Sequence, residues 1–299
     1  MSAPTTNDTL SARIVAAGWR VGVAVFASLM ATRFVAVPLG MGWIVSNLLS
    51  GSERVPSSVD TLAIRIATGI AMSICAIAVV YLLTRHADNA TLRSAGLTRL
   101  RIGWRQFLWG VALWLAPAIV AFAVLAALGA TLTVTVPAGK VFQTVVLLFF
   151  AVLLAEAIPE ETIFRGYVTN ALGRVSLGWW RTIFQAVLFT LFAGVLRQDW
   201  NPTELSLFFT MGIGFGYLRT LTGSIWMSVG FHTAFQTGAQ LVLSHDVVNF
   251  AGDQTTAMLG VGVIPFTAAA ILITTTRMPR FVTEKDAATK GGVANVESA

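Results

Sequence analysis

At 299 residues the chain has the length of two soluble domains, but its composition does not fit them. Only 11% of the residues are charged, against about 25% in soluble proteins, while 56% are hydrophobic and the mean hydropathy is +0.75. So little polar surface cannot cover a soluble core of this size, which excludes an ordinary soluble enzyme and a disordered chain and leaves a polytopic membrane protein. The net charge of +6 and the pI near 10.2 then read as topology signals beside anionic lipid, not as a nucleic-acid footprint. A single cysteine, Cys75, excludes a disulfide framework and a multi-cysteine metal site.

A membrane-crossing helix needs roughly 20 apolar residues, so spans are sought in stretches free of charge. Residues 1–12 form a polar N-terminal tail, and the polar stretch ahead of the first apolar run predicts no cleavable signal peptide. The first span lies at about 14–36, or shifted toward Trp43, because Arg20 and Arg33 bracket only a short uncharged run. Ile66–Thr84 is the second span. Leu97, Leu100, Ile102 and Trp104 then alternate with arginines, which predicts a basic segment over 91–105 lying on the membrane interface. Gln106–Gly139 follows as the third span, and Val141–Ala155, Thr182–Leu196 and Leu205–Leu218 become long enough once flanking Lys or Arg side chains snorkel. Thr220–Ser244 and Thr255–Thr276 complete an all-α bundle of eight transmembrane helices, with seven as the alternative count. The chain thus divides into N-terminal helices at 13–140, a core at 141–244, a last helix at 245–276 and a polar tail at 277–299 expected to be disordered. No inverted repeat of the transporter kind is visible, and Gly212, Gly214 and Gly216 read as close helix packing.

With both termini in the cytoplasm, fifteen of the twenty basic residues fall inside. Arg33, Arg54, Arg65, Lys140 and Arg197 lie on or near the outside. The pattern is compatible with a bacterial inner membrane.

Ionisable groups at membrane depth cost about 2.5–3.5 kcal/mol each and are functional candidates for that reason. The fourth span ends in Glu156-Ala-Ile-Pro-Glu160-Glu161-Thr-Ile-Phe-Arg165-Gly-Tyr167. Glu161 and Arg165 stand four residues apart and can pair on one face, which leaves Glu160, turned about 100° away, free to serve as a general base toward water. Glu156 is open between packing and function. His232 is the one histidine inside an apolar run, with Gln236 one turn on, so an imidazole and an amide share a face of the seventh span. Such a pair can orient water or stabilise an oxyanion, or simply join two helices. His86, His245, Asp199 and Asp246 sit beside loops and read as solvated.

Glu160-Glu161-x-x-x-Arg165 continuing into Gly166-Tyr167, then an aromatic helix, then His232-x-x-x-Gln236, resembles the CAAX prenyl protease and bacteriocin-processing family. These are intramembrane proteases related to type II CAAX endopeptidases. The resemblance covers about Val141–Ser244, with a weaker likeness at Gly96-Leu97. It implies an intramembrane endopeptidase in which Glu160 activates water, Glu161 and Arg165 hold the helix, and His232 and Gln236 act on the scissile carbonyl. The family usually has Asn or Asp where this chain has Gln236. Its second motif, Phe-x-x-x-His, is here Phe189-Thr-Leu-Phe-Ala193, with a methyl group in place of the imidazole. The family's metalloprotease naming suggests zinc, yet Glu160 and His232 supply two ligands where a catalytic zinc wants three, and Glu156 or Glu161 would have to be recruited as the third, so the cofactor stays open and no metal residues are named. The alternative is a catalytically weakened or inactive relative serving as a membrane scaffold or as a binder of peptides or lipopeptides. The expected partners are membrane lipids and a peptide or protein substrate, lipidated or not, with no nucleic acid.

Overall fold

The computed structural model describes residues 6–31, 34, 42, 58–134, 136–175, 178–245, 247–251 and 253–283. Eight long helical rods follow one another among them. These are α1 (Thr6–Ala31), α2 (Ser58–Leu82, prolonged by a wide π turn at Leu83–Ala87), α3 (Leu100–Ala127), α4 (Ala138–Gly173), α5 (Trp180–Arg197), α6 (Pro202–Thr222), α7 (Trp226–Leu243) and α8, which begins at Gln254 and ends with Ile264–Thr275. A single turn, α9 (Arg280–Thr283), follows. Arg33, Arg54, Asp246, Lys285, Lys290 and any extension of the first span toward Trp43 lie outside the described residues.

Five rods contain stretches long and apolar enough to cross a membrane: Leu10–Ala31, Val59–Ala87, Leu100–Ala127, Ala138–Gly173 and Thr255–Thr275. The protein is an all-α integral membrane protein. α7 differs because it is the interior helix. Every residue from Met227 to Thr237 is buried, so its polar groups face protein and not lipid.

Close backbone approach seats α7 against α3. A Cβ at Gly230 would lie 2.0 Å from the Phe107 carbonyl oxygen, and one at Gly110 would lie 2.1 Å from that of Met227. Trp226 fills the space over Gly103, and Trp114 the space over Gly238. On the other side, Gly212 and Gly216 of α6 meet Ala186 and Thr182 of α5, while Gly214 faces open space. Two of the three glycines expected to pack closely therefore do so, as small residues at membrane-helix contacts should.

Two expected spans prove shorter than their uncharged runs. The run Gln106–Gly139 leaves the helix at Ala127, because Gly129 adopts φ +98°, a backbone conformation that suits glycine and ends the helix. The alternating, β-branched Thr131–Val134 then forms β1, antiparallel to β2 (Val248–Ala251), with Thr131 opposite Ala251 and Val134 opposite Val248. An uncharged apolar run does not by itself distinguish helix from strand. The run Thr220–Ser244 is interrupted by Gly223 at φ +69°, which closes α6 before α7 begins at Trp226. At their starts, Asn201 caps α6 by accepting from Thr203 N at 2.9 Å, and Asp253 caps α8 by accepting from Thr256 N at 2.6 Å. That backbone donor also holds the exposed Asp253 carboxyl below its usual range.

Wide π turns recur before proline. In α4 the turn Leu153–Ala157 precedes Pro159, and in α8 the turn Leu259–Val263 precedes Pro265. Proline offers no N–H and its ring presses on the carbonyl four residues back, so the helix widens there. Side chains take up carbonyls in both turns: Ser73 donates to Leu154 O at 2.6 Å, and Trp114 Nε1 donates to Val261 O at 3.0 Å.

Gly230→Ala should destabilise the bundle by about 1–3 kcal/mol through overpacking against backbone. Gly214→Ala should leave stability unchanged or slightly raised. Thermal unfolding in detergent checks both, and equal midpoints for the two variants would contradict the packing described.

Candidate active site

Four rods meet around the carboxylates of α4. After Pro159, residues Glu161–Val168 form a second wide π turn whose side chains are all buried. Such turns are rare and concentrate at functional sites. Glu161 is wholly enclosed, and its Oε1 lies 3.0 Å from Arg165 Nη1 and 3.0 Å from His232 Nδ1 on α7. The predicted pairing of Glu161 with Arg165 is therefore present, and the same oxygen also orients the imidazole.

Arg165 is equally enclosed. Its guanidinium carbon stands 4.1 Å from the ring centre of Phe189 on α5 and 5.1 Å from that of Phe215 on α6. Its Nη2 donates to Met211 O at 3.3 Å. Flat aromatic faces suit a planar cation that must be kept from water. Phe215 touches both halves of the site, because it also stacks on His232 with 5.2 Å between centroids and 24° between planes. Phe215 was not singled out from the sequence, where it is one of nineteen phenylalanines and only the glycines on either side of it, Gly214 and Gly216, drew notice.

Glu160 points elsewhere, as the helical offset predicts. It keeps 21% of its side chain exposed, and its Oε2 lies 3.9 Å from His232 Nε2. Glu161 thus engages one imidazole nitrogen while Glu160 faces the other. Gln236, one turn past His232, is buried and has no hydrogen-bond partner among the described residues.

Glu156 belongs to a neighbouring cluster. It pairs with Arg65 of α2 and accepts from Gln240 Nε2 at 3.3 Å, while Arg65 Nη1 donates to Gln240 Oε1 at 2.8 Å. His232, Gln236 and Gln240 recur at four-residue spacing on α7, opposite Glu160 and Glu156 on α4, so one polar stripe runs between the two helices. Arg65 was expected near the outer face, with no sign in the sequence that Glu156 was its partner. A second buried acid, Asp88, lies away from this stripe, 3.0 Å from Arg20 Nε and 3.1 Å from Arg174 Nη1. It ties α1, the end of α2 and the end of α4 together.

Glu161 Oε1 is shared between a guanidinium and His232 Nδ1, while its Oε2 is buried without a hydrogen-bond partner and Glu160 faces His232 Nε2. Among the described residues no group of three His, Cys, Asp or Glu side chains could hold an ion. Ala193 adds no donor. It is buried in the apolar cluster with Phe164, Phe189 and Phe192.

Arg165→Met should destabilise the protein by about 3–5 kcal/mol, since it leaves Glu161 buried without its cation. Adding Glu161→Leu should recover much of that loss, because an apolar pair replaces the ionic one. Thermal unfolding of the single and double variants tests this, and a single variant as stable as the parent would refute it.

Residues 141–238 match the family model described as Type II CAAX prenyl endopeptidase Rce1-like. No curated protein and no solved structure matches the chain. The matched segment runs from the second residue pair of α4 to the middle of α7 and includes all five residues singled out from the sequence, Glu160, Glu161, Arg165, His232 and Gln236. This segment, about a third of the chain, is similar to the type II CAAX prenyl endopeptidases, a family of intramembrane proteases.

Proposed function

We propose that the protein is a membrane-embedded endopeptidase in which Glu160 activates the attacking water and His232 and Gln236 handle the scissile carbonyl. The observation that carries this reading is the 3.9 Å separation between Glu160 Oε2 and His232 Nε2. It is too long for a direct hydrogen bond and suits one water touching both groups at about 2.8 Å each.

Of Glu156, Glu160 and Glu161, Glu160 is left for this work, because Glu156 pairs with Arg65 and Glu161 engages Arg165 and His232. In the proposed cycle Glu160 takes a proton as the water oxygen adds to the peptide carbonyl. It returns the proton to the leaving amine as the C–N bond breaks. Glu161 Oε1 fixes the ring through His232 Nδ1, so that Nε2 faces Glu160 and, carrying a proton, donates to the developing oxyanion beside the attacking water. The amide of Gln236, one turn along the same face, supplies N–H donors for the developing oxyanion. Phe215 and Arg165 hold the imidazole and the carboxylate in register, and neither touches substrate.

The substrate is a peptide or protein presented at the membrane, with a lipidated segment compatible with a site lined by apolar rods. A bacterial plasma membrane, cytoplasmic termini and cleavage near the cytoplasmic face complete the reading. The charge asymmetry of the loops supports it.

One observation favours a second reading. Ala193 stands in an apolar, aromatic setting where the family's second motif carries histidine. A relative that has lost catalysis and binds a peptide or lipopeptide in the same site would tolerate that exchange.

The two readings separate on a membrane-presented peptide in nanodiscs. The hydrolytic reading expects slow turnover by the parent protein and none by Glu160→Ala, while cleavage that persists in Glu160→Ala would sink the mechanism. The binding reading expects peptide retention without turnover, and hydrolysis on introducing Ala193→His. Loss of one positioning group commonly slows such chemistry about 10²–10⁴-fold, which sets the sensitivity needed.

A further inference from the structure

Arg219, near the end of α6, is half-buried against the wide turn of α4 and is absent from the functional reading above. Its Nε donates to the Arg165 carbonyl at 3.1 Å, and its Nη2 donates to the Ser94 carbonyl at 3.3 Å. The guanidinium therefore bridges the wide turn of α4 to the segment between α2 and α3. Both bonds go to main-chain oxygens, so they fix backbone position and not side-chain charge.

The bridged segment is itself seated with little tolerance. Gly96 adopts φ +80°, and a Cβ on it would come within 2.6 Å of the Arg219 guanidinium. The Ala95 carbonyl lies against Gly166, where a Cβ would meet it at 3.0 Å. Ile225 N donates to Gly96 O at 3.0 Å, Trp226 Nε1 donates to Thr98 O at 3.0 Å, and the Thr98 and Ser224 hydroxyls are 3.1 Å apart. The loop at 94–98 is thus wedged between the α6–α7 junction and the backbone of Arg165–Gly166. It touches the start of the helix that carries His232 and the turn that carries Glu161.

We propose that Arg219 is a positioning residue for the Glu161–His232 pair. The coupling runs through contacts already described: Arg219 holds the backbone of Arg165, Arg165 holds Glu161 Oε1, and Glu161 Oε1 holds His232 Nδ1. A wide turn carries fewer backbone constraints than a regular helix, and here a side-chain fork replaces them. Lysine cannot substitute, since one ammonium on a flexible stem does not span two carbonyls in a fixed fork.

The test uses full-length protein in nanodiscs, with Arg219→Lys and Gly96→Ala as independent ways of disturbing the bridge. The first keeps the positive charge, and the second drives a methyl group into the guanidinium. With three histidines in the chain, 15N-histidine spectra assigned through His232→Gln and His245→Gln report the site directly. Both variants should move the His232 signal and leave that of His245 in place. In the peptide assay kcat should fall about tenfold to a hundredfold with KM changed little, as expected for displacement of a catalytic group by an ångström or less. The kinetic arm rests on the hydrolytic reading, whereas the spectroscopic arm does not. An unmoved His232 signal in both variants overturns the proposal, and so does a moved signal with unchanged kcat. If the parent protein cleaves nothing, the hydrolytic reading falls and the spectra alone decide the role of Arg219.

Discussion

The site depends on one buried charge pair. Glu161 and Arg165 are both without exposed side-chain surface, and neither could remain ionised there alone. Their neighbours follow from that demand. Phe189 and Phe215 supply aromatic faces for the cation, Met211 supplies a carbonyl, and His232 takes the second contact of the carboxylate oxygen. Each comes from a different rod or from a separate turn, so satisfying one ion pair brings α4, α5, α6 and α7 together. A buried pair of this kind adds little stability over an apolar one, but it fixes a unique arrangement, and that is what a hydrolytic site requires.

The burial of α7 serves the same end. A helix carrying His232, Gln236 and Gln240 would be costly against lipid, and it is enclosed instead by glycine contacts with α3 and by the wide turns of α4. Its polar stripe then faces two glutamates on α4. Glu160 stays partly exposed with no cation of its own, while Glu156 is neutralised by Arg65. Two carboxylates one turn apart thereby stand in different electrostatic surroundings.

Much of this was legible in the sequence, and for physical reasons. Charge is so scarce that Glu156, Glu160, Glu161 and Arg165 stand out against apolar spans, and the four-residue spacing of Glu161 and Arg165 already specifies a shared helix face. His232 is marked in the same way. Helix existence followed from charge-free runs, whereas helix ends did not. Gly129 and Gly223 act through backbone conformation, which hydropathy does not register, so β1 and the α6–α7 break were merged into neighbouring spans. Partners that act as ordinary apolar or loop residues were invisible: Phe215 is one ring among many, and Arg219 reads as a topology signal. Asp88 lies in a loop full of arginines, yet the two it meets, Arg20 and Arg174, come from α1 and the end of α4. The family match, confined to 141–238, agrees with the motif-bearing third of the chain and says nothing of α1–α3, which supply Arg65, Ser94 and the glycine-packed face behind α7.

The wide turn ahead of Pro159 has a geometric consequence. A π turn takes in about one more residue than an α turn over the same arc, which resets the angular phase of everything that follows it. On a uniform helix the faces before and after Pro159 would be related by a single 100° step per residue. In α4 they are not, so the apolar face that seats Leu148 and Val152 and the polar face that meets α7 are set by separate clocks. The rod can therefore keep a lipid-compatible surface over its first half and turn carboxylates inward over its second.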